Sequence, residues 1–448
     1  MLLCLLIFSS CTQNEAPASS HADEAYSIVS VNIKKTPEKK VLSVFDSSPD
    51  IVCLQYSDEL LIEKIVKENP GYTYYKQSSS DTATDKEVFS NAIFWKTDVL
   101  SPLKTNTVWM SDTMTKSSFF EGSDNFALLS YALLDGPFGS VAVFNADFDA
   151  NNKTIRKKEL YVAASRILCY TSYFPTVLTG DLPFDKENKN TVESALKLIS
   201  FSNNLYYSSS NAIKASSNGK NGLTSVYLVP QSTPMSLNID NKMIALTYDD
   251  GPSKLDYTER LISTLSAHNA KATFFVLGTR AELYKETLEK AFSIGCEIGN
   301  HTYNHDTFTS NTLPFIKSSL ERTSLIVEDA IGVPPFLVRP PGGAYRTPSN
   351  EITRISSPII LWSVDTKDYE QGKTADDVFN FISEKAFDGA IVLMHDIHSP
   401  SIDSADRIIT SLIKDGYQLV TVSELLEFSD VDLDNNFVYT SANSVYKN

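Results

Sequence analysis

Over residues 242–428 short apolar runs alternate with stretches of helical periodicity. Strands are expected at 243–247, 272–276, 359–362 and 391–394. Helices are expected at 258–267, 282–292, 313–330, 375–385 and 404–414. Strand followed by helix, repeated, implies a parallel sheet or barrel, because parallel neighbours need a crossover between them. Barrels place their chemistry at the C-terminal ends of strands, so the residues that follow the apolar runs carry the interest.

Five polar clusters stand there. The first is Thr247-Tyr248-Asp249-Asp250-Gly251-Pro252. Two adjacent carboxylates repel unless a cation or an Arg compensates; a solvated turn is the plainer reading. In His301-Thr302-Tyr303-Asn304-His305 two imidazoles stand four apart. They share a face if the segment is helical and can then meet one ion; two ordinary histidines would look the same. The chain has six histidines, and His301, His305, His395 and His398 are four of them. Arg339-Pro340-Pro341-Gly342-Gly343 joins a cation to a rigid turn whose glycines let backbone N–H groups approach a ligand. Asp365-Thr366-Lys367-Asp368-Tyr369 follows an apolar strand. His395-Asp396 ends another; His398 either packs beside it or faces solvent.

In this order the five segments resemble the motifs of the NodB-type polysaccharide deacetylases, carbohydrate esterase family 4. The resemblance covers residues 242–428 and implies a distorted (β/α) barrel. It implies that Asp250, His301 and His305 hold one divalent metal. Zinc suits that donor set, and cobalt or another first-row metal can replace it. It further implies that Asp249 is the base, Arg339 its orienting partner, His395 the acid and Asp365 the residue orienting His395. The N–H near Gly342 is implied as an oxyanion donor, and Leu393 as part of the wall for the acetyl methyl. Tyr369 stands where the family has Trp, and Gly342 where it has an aromatic; both border the substrate groove. The implied reaction is removal of N-acetyl groups from an extracytoplasmic amino-sugar polymer, peptidoglycan or another GlcNAc-containing glycan. An amide is a poor electrophile and its amine a poor leaving group. Metal, base, oxyanion donor and acid therefore each have a task.

Residues 26–230 read as a second α/β region, with residues 230–234 as linker and 236–430 as the deacetylase domain. Strand-like runs recur at 27–31, 51–54, 92–95, 141–145 and 176–178, with helices at 58–68 and 156–169. The segments around Asn32, Gln55, Asn145 and Asp181 resemble the endonuclease/exonuclease/phosphatase fold, a DNase I-like β-sandwich. That family's chemistry is not matched. Tyr56 stands for a metal-binding Glu, Asp147 for a His and Pro183 for an Asn, and no histidine lies between His21 and His268. A degenerate, non-catalytic domain is expected.

Residues 1–10 form an apolar run shorter than the ~20 residues of a bilayer span and fit a secretion signal. Ser9-Ser10-Cys11 resembles a lipobox, which makes Cys11 the expected lipidation site and membrane anchor. Plain secretion and a buried N-terminal element are the alternatives. Residues 11–25 suit a flexible tether, and 431–448 a polar tail. The five cysteines show no CxxC spacing; Cys53 and Cys169 lie in apolar runs and read as buried. A net charge of −16 argues against a nucleic-acid partner. Three rival functions are a glycan-binding scaffold with both halves inactive, an O-deacetylase of acetylated xylan-like glycan, and a phosphodiesterase in the first half.

Overall fold

The computed structural model describes residues 25–447 apart from 78–88, 124–125, 203–204, 209–210, 219–222, 231–234, 346–354 and 436. The expected signal segment, Cys11, the tether up to residue 24 and the linker stretch 231–234 lie outside the described residues.

The first half contributes β1 (Tyr26–Asn32), β2 (Ile51–Ser57), β3 (Tyr72–Tyr75), β4 (Ser90–Lys96), β5 (Ser101–Trp109), β6 (Leu128–Asp135), β7 (Val141–Asp147), β8 (Thr176–Asp181), β9 (Leu198–Ser202), β10 (Leu205–Ser208), β11 (Asn211–Asn218) and β12 (Leu223–Pro230). They make two six-stranded sheets, in the orders β11-β12-β1-β2-β4-β3 and β5-β6-β7-β8-β10-β9. Strand periodicity sorts the side chains. Tyr26 and Ile28 of β1 join Ile51, Ile93, Val143 and Val177 in a layer between the sheets. Val29 and Val31 face the other way, into a layer with Leu61, Ile62 and Ile65 of the helix Glu59–Glu68.

The second half adds β13 (Met243–Asp249), β14 (Thr273–Val276), β15 (Glu297–Asn300), β16 (Ile359–Ile360), β17 (Val364–Asp365), β18 (Ala390–His395), β19 (Gln418–Leu419), β20 (Phe437–Ser441) and β21 (Ser444–Lys447). Their order is β15-β14-β13-β18-β20-β16, with β17 and β19 beside β18 and β13. Every residue of β13 is buried, as expected of a central parallel strand covered on both faces. Bridges Asn300↔Val338 and Val338↔Ile359 tie β15 to β16, so the sheet curls until its two edges meet.

Two expectations change. The sheet is mixed, because β20 pairs antiparallel with β18 and parallel with β16. The segment expected to be a polar tail supplies that strand. Val438 and Tyr439 are buried, and the strand fills a gap that the two-residue β16 cannot close. An uncovered sheet edge would leave its backbone groups unpaired.

The halves share one buried core, which joins Tyr131, Phe144 and Tyr170 to Leu425, Leu426 and Phe428. All seven residues of the helix Val422–Phe428 are buried. Its acids accept bonds from the first half: Tyr131 and Tyr170 donate to Glu427 at 2.9 and 2.7 Å, and Tyr173 donates to Glu424 at 3.0 Å, while Lys271 of the second half also pairs with Glu424. Among the described residues no helix is long and apolar enough to cross a membrane.

Candidate metal centre

Asp249 ends β13 and His395 ends β18, and the two are register partners on neighbouring strands. His301 follows the last residue of β15. The curled sheet thus gathers these side chains at the C-terminal edge of its strands. One oxygen of Asp250 and one nitrogen each of His301 and His305 lie within 4.8 Å of one another. Asp250 Oδ1 is 3.6 Å from Nε2 of both histidines. Donors ~2.1 Å from a tetrahedral ion stand about 3.4 Å apart, so the spacing suits a first-row metal.

Three observations support that fit. Asp250 Oδ1 is buried and has no hydrogen-bond partner, which is costly unless a cation completes it. His301 Nδ1 bonds the Arg339 carbonyl at 2.7 Å, leaving Nε2 for an ion. Burial lowers the His301 pKa, against the pull of Asp249 and Asp250, and so favours the neutral, ligating imidazole. The His301–His305 segment is a loop, not the helix on which a shared face would depend. Asp250, Thr302 and His305 have φ of 74°, 68° and 58°. Left-handed backbone is uncommon outside glycine and clusters at functional sites. His301 is buried, whereas the His305 side chain is 48% exposed, so the centre opens to solvent.

Arg339 is fully buried. Its Nη1 donates to Asp249 Oδ1 at 2.8 Å and to Thr247 Oγ1 at 2.7 Å. Nε and Nη2 reach the Ile360 and Leu361 carbonyls at 3.3 and 3.0 Å. The guanidinium lies 4.0 Å over the Phe275 ring. Burial works against its charge and Asp249 supports it.

The expected pairing of Asp365 with His395 is not the one formed. His395 Nδ1 bonds Asp368 Oδ1 at 2.7 Å, and the His395 N–H donates to Asp368 Oδ2 at 2.8 Å. Asp365 instead accepts from the Lys367 N–H at 3.0 Å. Lys367 has φ 54°, and the turn it makes brings the second acid, not the first, under the histidine. Burial opposes charge on His395, but Asp368, with Asp249 and Asp250, outweighs it and pushes the pKa up to about 9. Burial acts to raise the Asp368 pKa, while bonds from His395 and Ser401 hold it below the usual carboxylate range.

The His395 ring is bracketed by Tyr369 and His398, edge-to-face, at centroid distances of 5.4 and 5.6 Å. Tyr369 is half-exposed. Leu393 lies two residues before His395 and in register with Thr247. Strand alternation therefore puts Leu393 and His395 on one face. Gly342 has φ 67°, and a Cβ there would meet open space. The neighbouring Gly343 N–H is committed to Pro340 O at 2.9 Å.

Asp396 is buried beneath this rim and accepts from Thr258 Oγ1 at 2.6 Å. A Cβ on Gly251 would lie 2.0 Å from its carboxylate. Gly251→Ala therefore has to displace Asp396 or the Asp250 backbone. Its expected result is a soluble protein with metal affinity reduced about 10–100-fold, as for lost supports of ligands; titration of apo-protein with zinc checks it.

In the first half Tyr56 donates to Asp181 at 3.1 Å, and Lys35 pairs with Asp181 at 2.8 Å. Asp147 accepts from the Leu128 N–H at 3.0 Å and from Asn91. Asn32 is buried in register with Gln55. The acids there are taken up by protein donors. Among the described residues the one cluster of His, Cys, Asp and Glu spaced to hold a metal is Asp250, His301 and His305.

The family model described as polysaccharide deacetylase matches residues 237–355. The chain is 37% identical over 198 residues to the peptidoglycan-N-acetylmuramic acid deacetylase PdaC of Bacillus subtilis, covering 44% of this chain and 42% of that protein. It is 39% identical over 211 residues to the peptidoglycan-N-acetylglucosamine deacetylase PgdA of Listeria monocytogenes, covering 47% and 44%. The chain thus spans under half the length of these two relatives. A peptidoglycan-N-acetylglucosamine deacetylase of Bacillus cereus is 31% identical over 195 residues, covering 42% of this chain and 90% of that protein. With nearly all of that relative matched, the chain belongs to the polysaccharide deacetylase family.

Proposed function

We propose that this chain hydrolyses N-acetyl groups on an amino-sugar polymer of the cell envelope, peptidoglycan or another GlcNAc-containing glycan. The observation that carries the reading is the Asp250–His301–His305 cluster at one strand edge with Asp249 and His395. The names of the three relatives support the polymer.

Asp250, His301 and His305 would hold a divalent ion, zinc by the chemistry of the donors, which would supply Lewis-acid polarisation of the acetyl carbonyl and lower the pKa of water. Asp249, oriented by Arg339, accepts the proton of the water that attacks the carbonyl carbon. The Gly342 N–H is our candidate donor to the oxyanion that forms. His395, with Nδ1 held by Asp368, gives its proton to the nitrogen as the C–N bond breaks. Water is consumed, and acetate and a free amine leave. In this reading Leu393 packs on the acetyl methyl and Tyr369 walls the sugar.

The first half is proposed as a non-catalytic sandwich of DNase I-like type. Support comes from Tyr56 and Lys35 occupying Asp181 and from the missing histidines. Lipidation at Cys11 belongs to the same reading; palmitate labelling lost in Cys11→Ala is the expected result.

A substrate screen tests the reaction class. Protein stripped by a chelator should lose acetate release from peptidoglycan or chitin oligomers and regain it with zinc or cobalt. Release from acetylxylan alone would favour the O-deacetylase. Glycan binding without release, and without stoichiometric metal, would favour the scaffold.

A further inference from the structure

The two halves meet along a seam that encloses a cavity of about 350 Å³. Neither Asp250, His301 nor His305 lines it, and neither Asp249 nor His395 does. Small side chains keep the seam open: Ala164 and Ser165 on the helix Lys153–Thr171, Ala195, and Gly295 across from them. Packed interiors hold few voids larger than a water molecule. Ligand sites of about 300–1,000 Å³ favour domain interfaces.

Several polar groups of the lining are already bonded within the protein. Ser165 Oγ donates to Val162 O at 2.7 Å, and Ser293 Oγ to Lys290 O at 2.7 Å. Ser423 Oγ donates to Glu297, and Cys169 Sγ to Ser165 O at 3.3 Å. Glu424 is paired with Lys271 and accepts from Tyr173; Glu297 also accepts from Thr273 at 2.9 Å. These polar groups are spent on the protein itself. Leu168, Phe292, Ile294, Ile298, Val333 and Phe336 make much of the remaining wall.

Lys197 is the cation among the described lining residues. It lines the cavity and is exposed, which puts it at the mouth. Its backbone is left-handed, φ 54°. Its ammonium donates to the Ser293 carbonyl at 3.0 Å. An ammonium carries three donors, so this bond leaves capacity for an anion. We propose that the cavity takes a medium-chain aliphatic carboxylate, with its chain between the halves and its carboxylate on Lys197. An apolar body fits the apolar wall beside polar groups engaged with the protein, and the anionic end fits Lys197, the one cation among the described lining residues.

Binding across the seam ties the halves together and raises stability through linkage. The test uses the full chain, with dodecanoate followed by calorimetry and by thermal melting below its micelle concentration. We expect saturable one-to-one binding and a raised Tm. Lys197→Glu, an exposed change, should weaken binding at least about 10-fold, the worth of a charge-assisted bond. Thr171→Trp, at the partly exposed wall, should block the cavity while melting cooperatively without ligand. Dodecanol should bind more weakly than dodecanoate. Absence of saturable binding, equal affinity for dodecanol, or affinity unchanged in both variants would overturn the proposal. Neither arm depends on deacetylation, so failure here is separable from failure of the reading above.

Discussion

Asp368→Asn is expected to lower kcat on an N-acetylated glycan by about 10²–10⁴-fold, the usual worth of a general acid, while Asp365→Asn changes it little. The carboxylate of Asp368 meets both the Nδ1 and the backbone N–H of His395. Asp365 meets the Lys367 N–H instead. The pH profile gives the sign. His395 must carry a proton to protonate the leaving amine, and its pKa is raised to about 9. Activity from this group is therefore present below that value and lost as pH rises through it. A cation beside Asp250 opposes part of the rise, so the alkaline limb of the loaded enzyme falls below that point. Removing the Asp368 charge takes away the main support against burial, and the limb moves further toward neutral pH. A kcat/KM profile of wild type and both Asn variants decides; equal profiles for Asp368→Asn and wild type would remove Asp368 from the acid's support.

The second large effect is on stability. Arg339 and Asp249 are both buried, 2.8 Å apart. Arg339→Ala leaves the Asp249 carboxylate without its cation, a loss of about 3–5 kcal/mol and a fall in Tm on the order of 10 °C. Arg339→Lys does not rescue it, because a single ammonium cannot reproduce bonds to Asp249, Thr247, Ile360 and Leu361. Replacing both partners by apolar residues should recover much of the stability and none of the activity. Thermal melts beside rate measurements separate the two roles. A double variant that regained activity would remove Asp249 from the chemistry.

The sequence reveals those parts of the site that follow long apolar runs. The runs before Asp249 and His395 are buried strands whose register is one-to-one, so the base and the acid of the proton transfer could be placed at strand ends. What depends on loop geometry was hidden. Asp365 and Asp368 are equally plausible on paper, and only the left-handed turn at Lys367 chooses between them. His301 and His305 meet through Thr302 and His305 backbones that no helical spacing describes. The strand Phe437–Ser441 is short and set in a polar stretch, so it carries little periodic signal until its partners β16 and β18 are known. The helix Val422–Phe428 hides its burial in the same way, because the tyrosines that donate to Glu424 and Glu427 come from the far half of the chain.

The appearance of free amine in a glycan is the most direct test of the deacetylase chemistry. Metal-replete full-length protein is incubated with peptidoglycan and with chitin oligomers, and new primary amines are counted against Asp249→Ala and His301→Ala proteins prepared alike. Amine that rises with wild type and is abolished in both variants is the predicted result. No amine from either polymer, in protein that holds stoichiometric metal, would contradict it.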